Sequence, residues 1–202
     1  MRNKKMDNKS EKLNMMLAGV GGQGLITLTQ VMGQLALLDG VEFRSSELHG
    51  LSQRGGSVNI HVRLGKKINS PLITPGDLNL ALALESQEAL TCAQYASEET
   101  EFLINEYQTP TLSESASNKE VMERLRDISD RLKLVPATKI CKREFDTGVV
   151  AGVFMLGYAF RRDHFDFNQE LFSKAIERQI PEKYWEMNKE AFELGLNYKG
   201  QK

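Results

Sequence analysis

The fold is decided by one glycine-rich stretch, Ala18-Gly19-Val20-Gly21-Gly22-Gln23-Gly24, which follows the apolar run Met15-Met16-Leu17. Gly19, Gly21 and Gly24 match the G-x-G-x-x-G spacing of a turn between a buried strand and a helix. Such glycines turn the chain, allow the backbone to approach a phosphate and allow the helix to pack on the strand. The helix that follows would present its first free N–H groups to an anion. A tight turn that binds no ligand is the alternative.

A second glycine cluster follows, Glu47-Leu48-His49-Gly50-Leu51-Ser52-Gln53-Arg54-Gly55-Gly56-Ser57-Val58. The guanidinium of Arg54 can clamp a phosphate or carboxylate with two prongs; an arginine that braces a loop or an interface is the alternative. His49 is a candidate catalytic residue, with a hydrogen-bonded structural histidine as the alternative. Neither cluster arranges an acid, base or nucleophile for bond breaking, so together they predict a binding surface. Its candidate ligand-binding residues are Gly19, Gly21, Gly22, Gln23, Gly24, Ser52, Gln53, Arg54, Gly55 and Gly56.

The composition is typical of a globular cytoplasmic protein. The 202 residues include 41% hydrophobic and 26% charged side chains, which suits one full core. With 26 basic and 27 acidic side chains, the chain has no overall attraction to nucleic acid or to an anionic membrane. Cys92 and Cys141 stand far apart in the sequence and predict buried thiols. His61, expected to point outward from its strand, and His164 do not suggest metal ligands, so no metal site is predicted.

Strands and helices alternate along the chain, which predicts an α/β, Rossmann-like fold: a mostly parallel sheet flanked by helices, with a helical C-terminal section. Strands are predicted at 14–18, 41–44, 58–64, 78–84, 101–105 and 134–136. Helices are predicted at 24–39, 86–95, 119–132, 148–161, 168–179 and 181–197. The turn Gly65-Lys66-Lys67 would fold the third strand back toward Ile68 in a short hairpin. We expect residues 1–12 to form a disordered tail and residues 13–198 to form a single domain.

Several motifs carry a resemblance to a known family. They are A-G-V-G-G-Q-G at Ala18–Gly24, E-L-H-G-L-S-Q-R-G-G-S-V at Glu47–Val58, S-P-L-I at Ser70–Ile73, A-L-E at Ala83–Glu85 and N-x-x-A-F-x-x-G at Asn188–Gly195. With them, nearly the whole chain resembles the gamma-type subunit of 2-oxoacid:ferredoxin oxidoreductases, and it is similar to the beta subunit of the indolepyruvate enzymes. One departure is Phe145-Asp146-Thr147-Gly148, where such subunits often carry an asparagine-containing pattern.

The resemblance implies a place in a larger reaction. Such complexes oxidatively decarboxylate a 2-oxoacid with thiamine diphosphate, pass electrons through iron–sulfur clusters to ferredoxin, and release an acyl-CoA. It implies that an alpha subunit carries the thiamine diphosphate, Mg and [4Fe–4S] clusters, and that this chain has no redox centre. The glycine clusters would then help to hold the co-substrate coenzyme A or the 2-oxoacid, here indolepyruvate or another arylpyruvate.

The residues themselves indicate that this chain alone cannot catalyse that reaction. A [4Fe–4S] cluster normally needs four thiolates, and the chain has two cysteines. Thiamine diphosphate sites of this type need a G-D-G…N motif, but Gly76-Asp77 is followed by Leu78. Two other interpretations stay open. One is a stand-alone NAD(P)-binding oxidoreductase or regulator built on the same turn, and the other is a structural assembly subunit whose glycine loops touch only protein.

The last helix carries one more prediction. Trp185, Asn188, Phe192 and Gly195 share a helical face. This spacing predicts packing in the core of the chain, with contact to another subunit as the alternative.

Overall fold

The computed structural model describes residues 12–49, 56–110, 116–165, 167–168 and 170–200. In these ranges one sheet contains the strands β1 (Lys12–Val20), β2 (Glu42–His49), β3 (Ser57–Gly65), β4 (Leu80–Ala83), β5 (Glu101–Asn105) and β6 (Leu132–Val135). The α-helices are α1 (Leu25–Asp39), α2 (Asn118–Arg126), α3 (Ala137–Phe145), α4 (Ala151–Arg161), α5 (Glu170–Gln179) and α6 (Trp185–Asn197). Two 3₁₀ helices, Gln87–Tyr95 and Glu182–Tyr184, complete the order. No helix within these ranges has the length and apolar character needed to cross a bilayer.

The strand order in the sheet is β2-β3-β1-β4-β5-β6. β1, β4, β5 and β6 run parallel to one another, whereas β3 runs antiparallel to both β1 and β2. The predicted α/β fold with a mostly parallel sheet is therefore confirmed. The predicted hairpin from Gly65 to Ile68 is wrong. Gly65 ends β3, and β3 pairs on both edges with β1 and β2, because these strands offer it partners of 9 and 8 residues.

Helices cover both faces of the sheet, so the central strands are buried on both sides. Along β1, Met15 and Leu17 pack into the core formed with α1, α4, α5 and α6. Met16 and Ala18 point the other way, into the core beneath the 3₁₀ helix Gln87–Tyr95 and α2. This two-sided burial explains why residues 15–18 of β1 are continuously apolar instead of alternating.

The C-terminal half contains one helix that the sequence does not predict, α3. Its buried side chains Ala137 and Cys141 lie one turn apart, and charged residues fill much of the remainder, so the apolar pattern is too short to indicate a helix. Conversely, α2 ends at Arg126, earlier than predicted, because Leu132 already belongs to β6.

The polar side of β3 is partly covered by other elements and does not face solvent freely. Its polar residues alternate with apolar ones, which is the pattern of a half-exposed strand. The expectation that His61 points outward is nevertheless wrong, since only 1% of its surface is exposed. Its Nδ1 accepts the N–H of Ile73 at 3.1 Å, and its ring lies edge-to-face with Tyr95 at 4.7 Å between centroids. The segment after β3 and the 3₁₀ helix cover this side of the strand.

The burial of His61 makes a testable prediction about pH. Burial lowers the pKa of His61 from its usual 6.5, and a neutral ring is needed because Nδ1 accepts a hydrogen bond. Below about pH 6.5 the unfolded chain takes up a proton that the folded chain resists, so stability falls as the pH falls. We expect His61→Asn, whose amide oxygen can accept from Ile73, to lose this component. Urea unfolding of both proteins at about pH 7.5 and 5.5 measures it, and an identical pH dependence in the two would contradict a neutral buried His61.

Helices α4 and α6 cross at two glycines. A Cβ on Gly157 would lie 2.1 Å from the carbonyl oxygen of Phe192, and one on Gly195 would lie 2.0 Å from that of Phe154. Phe192 itself is 2% exposed and stacks on Phe172 at 3.6 Å between ring centroids. The N-x-x-A-F-x-x-G motif therefore encodes a close helix crossing within the chain, which confirms the predicted core packing of this face.

A buried carboxylate joins the helical section to the amino end of β5. Glu101 is 7% exposed and is bonded to Nε of Arg162 and, at 2.7 Å, to Nε2 of His164. Burial acts to raise the pKa of Glu101, but the hydrogen bonds from His164 and Arg162 outweigh it and hold the pKa below its usual value. This network ties the end of α4 to the sheet, on the edge opposite the glycine-rich turn.

Candidate ligand-binding edge of the sheet

The carboxyl ends of β1, β4, β5 and β6 meet at one edge of the sheet, and the Gly19–Gly24 turn lies there after β1. β3 begins at the same edge, because its antiparallel register pairs Ser57 with Val20. The backbone N–H of Gly21 donates to the carbonyl of Gly56 at 2.9 Å. The first glycine cluster and the end of the second are therefore in direct contact, although β2 separates them in the sequence.

Three of the four glycines in the turn each have a structural reason for being glycine. Gly22 and Gly24 have φ of 101° and 78°, a left-handed conformation that favours glycine. Gly19 permits close approach, since a Cβ there would lie 2.5 Å from Oε1 of Gln23. The spacing assigns close packing to the last glycine, but the space around Gly24 is open. Packing thus restricts the first glycine of the motif, and backbone conformation restricts the last.

Gln23 braces the turn from within. Its Oε1 accepts the N–H of Val20 at 2.9 Å, and its Nε2 donates to the carbonyl of Leu84 at 3.4 Å. The buried Asn105 donates to the same carbonyl at 3.0 Å and also to Oγ1 of Thr138 at 2.7 Å. The ends of β1, β4 and β5 and the start of α3 are consequently fixed relative to one another, which gives the edge a defined shape.

The amino end of α1 is suited to an anion. Gly24 caps the helix through its backbone; in the described part of the chain no side chain caps it, and the first turn carries no acidic residue. Gly22 and Gly24 are exposed. Within the described part of the chain, neither a side-chain cap nor a first-turn acid compensates the partial positive charge of this helix end, and such an end favours a phosphate or a carboxylate.

Part of the predicted site lies outside the described residues. These predictions concern Ser52, Gln53, Arg54 and Gly55, which fall in the range 50–55. His49 is the last residue of β2, and its side chain is likewise outside the described part. The structure therefore brings Gly56 to the turn, while the roles assigned to Arg54 and His49 stay predictions.

Two acidic residues beside the turn had no role in the sequence-based prediction. Glu85 is 3% exposed, and its carboxylate accepts the N–H groups of Gln87 at 2.7 Å, Glu88 at 3.0 Å and Thr109 at 3.2 Å. Glu88 accepts the hydroxyl of Ser57 at 2.5 Å. The pKa of Glu88 is raised because burial and the charge of Glu85 outweigh the hydrogen bond from Ser57. The A-L-E motif marks Glu85, whereas no sequence pattern marks Glu88.

The two cysteines do not fit an iron–sulfur cluster. Cys92 and Cys141 are both free and buried, as predicted, and they belong to the cores on opposite faces of the sheet. Burial raises the pKa of each thiol to about 12, whereas a cluster needs thiolates. Within the described ranges, no group of three or more His, Cys, Asp or Glu side chains is placed to hold a metal ion. The carboxyl edge of the sheet is suited instead to binding through hydrogen bonds and through the partial positive charge at the start of α1.

The sequence as a whole matches known proteins. The family described as pyruvate ferredoxin/flavodoxin oxidoreductase matches residues 14–198. The indolepyruvate oxidoreductase subunit IorB of Archaeoglobus fulgidus is 30% identical over 192 residues, which cover 92% of this chain and 94% of the relative. The chain belongs to the pyruvate ferredoxin/flavodoxin oxidoreductase family. It is a small subunit of a 2-oxoacid:ferredoxin oxidoreductase, which confirms the resemblance carried by its motifs.

Solved members of the oxidoreductase family share the fold. The gamma subunit of a keto/oxoacid ferredoxin oxidoreductase from Geobacter sulfurreducens superposes with a TM-score of 0.67 at 21% identity, covering 91% of this chain and 95% of that one. A 2-oxoglutarate:ferredoxin oxidoreductase from Magnetococcus marinus, with 2-oxoglutarate, coenzyme A and succinyl-CoA bound, gives 0.70 at 16% identity. That match covers 93% of this chain and 31% of the larger protein. The same architecture thus occurs both as a separate subunit and as part of a longer chain.

Proposed function

We propose that this chain is the small subunit of an oxidoreductase that acts on indolepyruvate or another arylpyruvate. A partner alpha subunit holds the thiamine diphosphate, Mg and [4Fe–4S] clusters, and ferredoxin receives the electrons through the assembled complex. The similarity to an indolepyruvate oxidoreductase subunit supports the substrate class. The two buried, protonated cysteines of this chain support a division of labour in which the partner carries the redox centres.

Within that complex, the carboxyl edge of the sheet binds the anionic part of coenzyme A or of the 2-oxoacid. The observation that carries this assignment is the hydrogen bond from Gly21 to Gly56, which joins the glycine turn to the end of the S-Q-R-G-G stretch. Uncapped N–H groups at the start of α1 and the guanidinium of Arg54 would then face the same anion. Ligands of open α/β sheets bind at this edge.

The strand order argues against the alternative of a stand-alone NAD(P)-binding protein. In a dinucleotide-binding fold, the second strand lies beside β1 and supplies an acidic residue for the ribose. Here β3 lies between β1 and β2, so the end of β2 is two strand spacings, about 10 Å, from β1. The residue beside Val20 is Ser57, which offers a hydroxyl that Glu88 already accepts. The place beside β1 from which a dinucleotide-binding fold supplies its ribose-binding acid is therefore occupied by β3.

Arg54→Lys tests the anion site in the assembled enzyme. Lysine keeps the charge but loses the two-pronged geometry, so we expect the Michaelis constant for coenzyme A or the 2-oxoacid to rise about tenfold or more. Steady-state kinetics with each substrate varied separately shows which ligand is affected.

The substrate class is tested by comparing indolepyruvate, pyruvate and 2-oxoglutarate in the same steady-state assay. We expect indolepyruvate to have the highest kcat/KM.

Native mass spectrometry of Arg54→Lys separates binding from assembly. An intact complex with a raised Michaelis constant supports the anion clamp. Weakened association with normal Michaelis constants would show that Arg54 braces the subunit interface instead, as expected of a purely structural subunit. An intact complex with unchanged constants for both substrates would refute both roles of Arg54.

A further inference from the structure

A cavity of about 310 Å³ lies between α3, α4 and the end of α6. Pockets that bind small organic molecules begin at about this volume. Its apolar walls are Ile140 of α3, Phe154 of α4 and Leu194 of α6. None of its lining residues belongs to the glycine turn or to a strand end at the carboxyl edge of the sheet. The cavity is therefore a separate feature of the helical section.

The close crossing of α4 and α6 fixes the shape of this cavity. A Cβ on Gly195 would lie 2.0 Å from the carbonyl oxygen of Phe154, so the two helix backbones are in contact at a residue that lines the cavity. Tyr198, which follows α6, packs its ring edge-to-face against that of Phe154 at 5.5 Å between centroids. Because these walls are formed before a ligand enters, little ordering has to accompany binding.

Two cations, Arg143 and Lys199, also line the cavity. Arg143 donates from Nε to Glu144 at 2.6 Å, and its two Nη groups have no acceptor among the described residues. Lys199 is exposed and makes no ion pair with the residues that the structure describes. A guanidinium with both Nη groups available can bind a carboxylate through two parallel hydrogen bonds. The cavity thus combines apolar walls with a group suited to a carboxylate.

Asn197 adds one directional acceptor to the cavity. Its Nδ2 donates to the carbonyl oxygen of Glu193 at 2.9 Å, which leaves Oδ1 to accept a hydrogen bond from a ligand. The N–H of an aromatic ring such as indole is a complementary donor.

We propose that this cavity is a binding site for a small aromatic carboxylate. The ring of the ligand lies between Phe154 and Leu194, and its carboxylate accepts from Arg143, with Lys199 beside it. The rings of Phe154 and Tyr198 favour an aromatic ligand over an aliphatic one, because aromatic rings attract one another beyond the gain from burial. This site goes beyond the proposed function of the glycine edge and does not depend on it.

NMR titration of the ¹⁵N-labelled full chain with indole-3-acetate tests the proposal. This probe has a ring, a ring N–H and a carboxylate, but no oxo group to react. We expect saturable shifts of the backbone amides of Leu194, Asn197 and Lys199. Indole-3-acetamide, which lacks the charge, and acetate, which lacks the ring, should each bind about tenfold more weakly or less, since each lacks one half of the recognition.

Three variants locate the binding. Arg143→Gln should weaken the affinity for indole-3-acetate about tenfold, the loss expected for a hydrogen-bonded contact to a charged group. Arg124→Gln is the matched control, because Arg124 is an exposed arginine of α2, on the opposite face of the sheet, and should leave the affinity unchanged. Leu194→Trp should fill the cavity and abolish binding, with urea unfolding as the check that this variant is folded.

Several results would overturn the aromatic carboxylate site. One is the absence of shifts at residues 194–199 with about 10 mM indole-3-acetate, a concentration that detects even millimolar affinity. Others are shifts confined to the glycine turn and an unchanged affinity in Arg143→Gln. Loss of binding in the assembled complex would show that the cavity is a contact with the partner subunit instead. The kinetics of Arg54→Lys tests the glycine edge separately, so either proposal can fail while the other stands.

Discussion

We expect Gly157→Ala to lower the free energy of unfolding by about 3 kcal/mol, although it adds a single methyl group in the middle of a helix. An alanine Cβ at this position would lie 2.1 Å from the backbone carbonyl oxygen of Phe192 and 3.0 Å from the backbone nitrogen of Leu196. Backbone atoms cannot rotate away as a side chain can, so α4 and α6 would have to separate. The separation would loosen the packing of Phe154 and Phe192, which are 0% and 2% exposed.

Gly152→Ala in the same helix is the matched control. Its Cβ would meet only side-chain carbons, Cδ1 of Leu84 at 3.2 Å and Cδ2 of Leu28 at 3.5 Å, which can give way. Alanine also favours a helix by about 1 kcal/mol over glycine, so this variant should unfold within about 1 kcal/mol of the wild type. Urea unfolding of the three proteins measures the difference. Equal stability of Gly157→Ala and Gly152→Ala would mean that α4 and α6 do not approach as closely as described.

The α/β architecture is predictable because its signals are local. The apolar strand β1, the glycine turn and the periodic helix α1 stand next to one another in the sequence, and Gly40 ends α1 in a left-handed conformation, as its position suggests. The order of the strands is not local. β3 lies between β1 and β2 because of pairings that join residues far apart, and neither its direction nor its position follows from the alternation of its side chains.

The alternating pattern of β3 also led to a wrong prediction, that its polar side chains face solvent. A strand that alternates apolar and polar residues is normally exposed on its polar side. In this fold the polar side faces a second layer, and His61 and Asn59 find partners there in Ile73 and Thr91. The sequence contains no mark of that layer, because the 3₁₀ helix Gln87–Tyr95 covers the strand only after the chain has folded back over it.

The sequence marks some residues of the candidate site and not others, again because some of their contacts join distant parts of the chain. Glycine motifs are recognisable in a sequence, since few conformations need glycine at fixed spacings. Glu88 resembles any other surface glutamate until the fold brings it to Ser57, and no sequence pattern shows that the side chain of Gln23 is bonded to Val20 and Leu84. Partners distant in the sequence give these residues their roles.

The absence of turnover by this chain alone is the second large effect that we expect. The redox chemistry of the 2-oxoacid:ferredoxin oxidoreductases needs thiamine diphosphate and iron–sulfur clusters, and this chain offers two buried thiols whose pKa is raised to about 12. The purified chain should therefore be colourless and should not reduce ferredoxin or a viologen dye with indolepyruvate and coenzyme A. Adding the proposed alpha subunit should produce activity, and that subunit assayed alone shows how much of the activity depends on this chain.

The most direct test of the central claim is that viologen assay, run on the chain alone, on the alpha subunit alone and on the two together. The account predicts that indolepyruvate-dependent reduction is undetectable with this chain alone and is highest with the assembled pair. Turnover by this chain without any partner would contradict the proposal that this chain binds the ligand and leaves the redox chemistry to another chain.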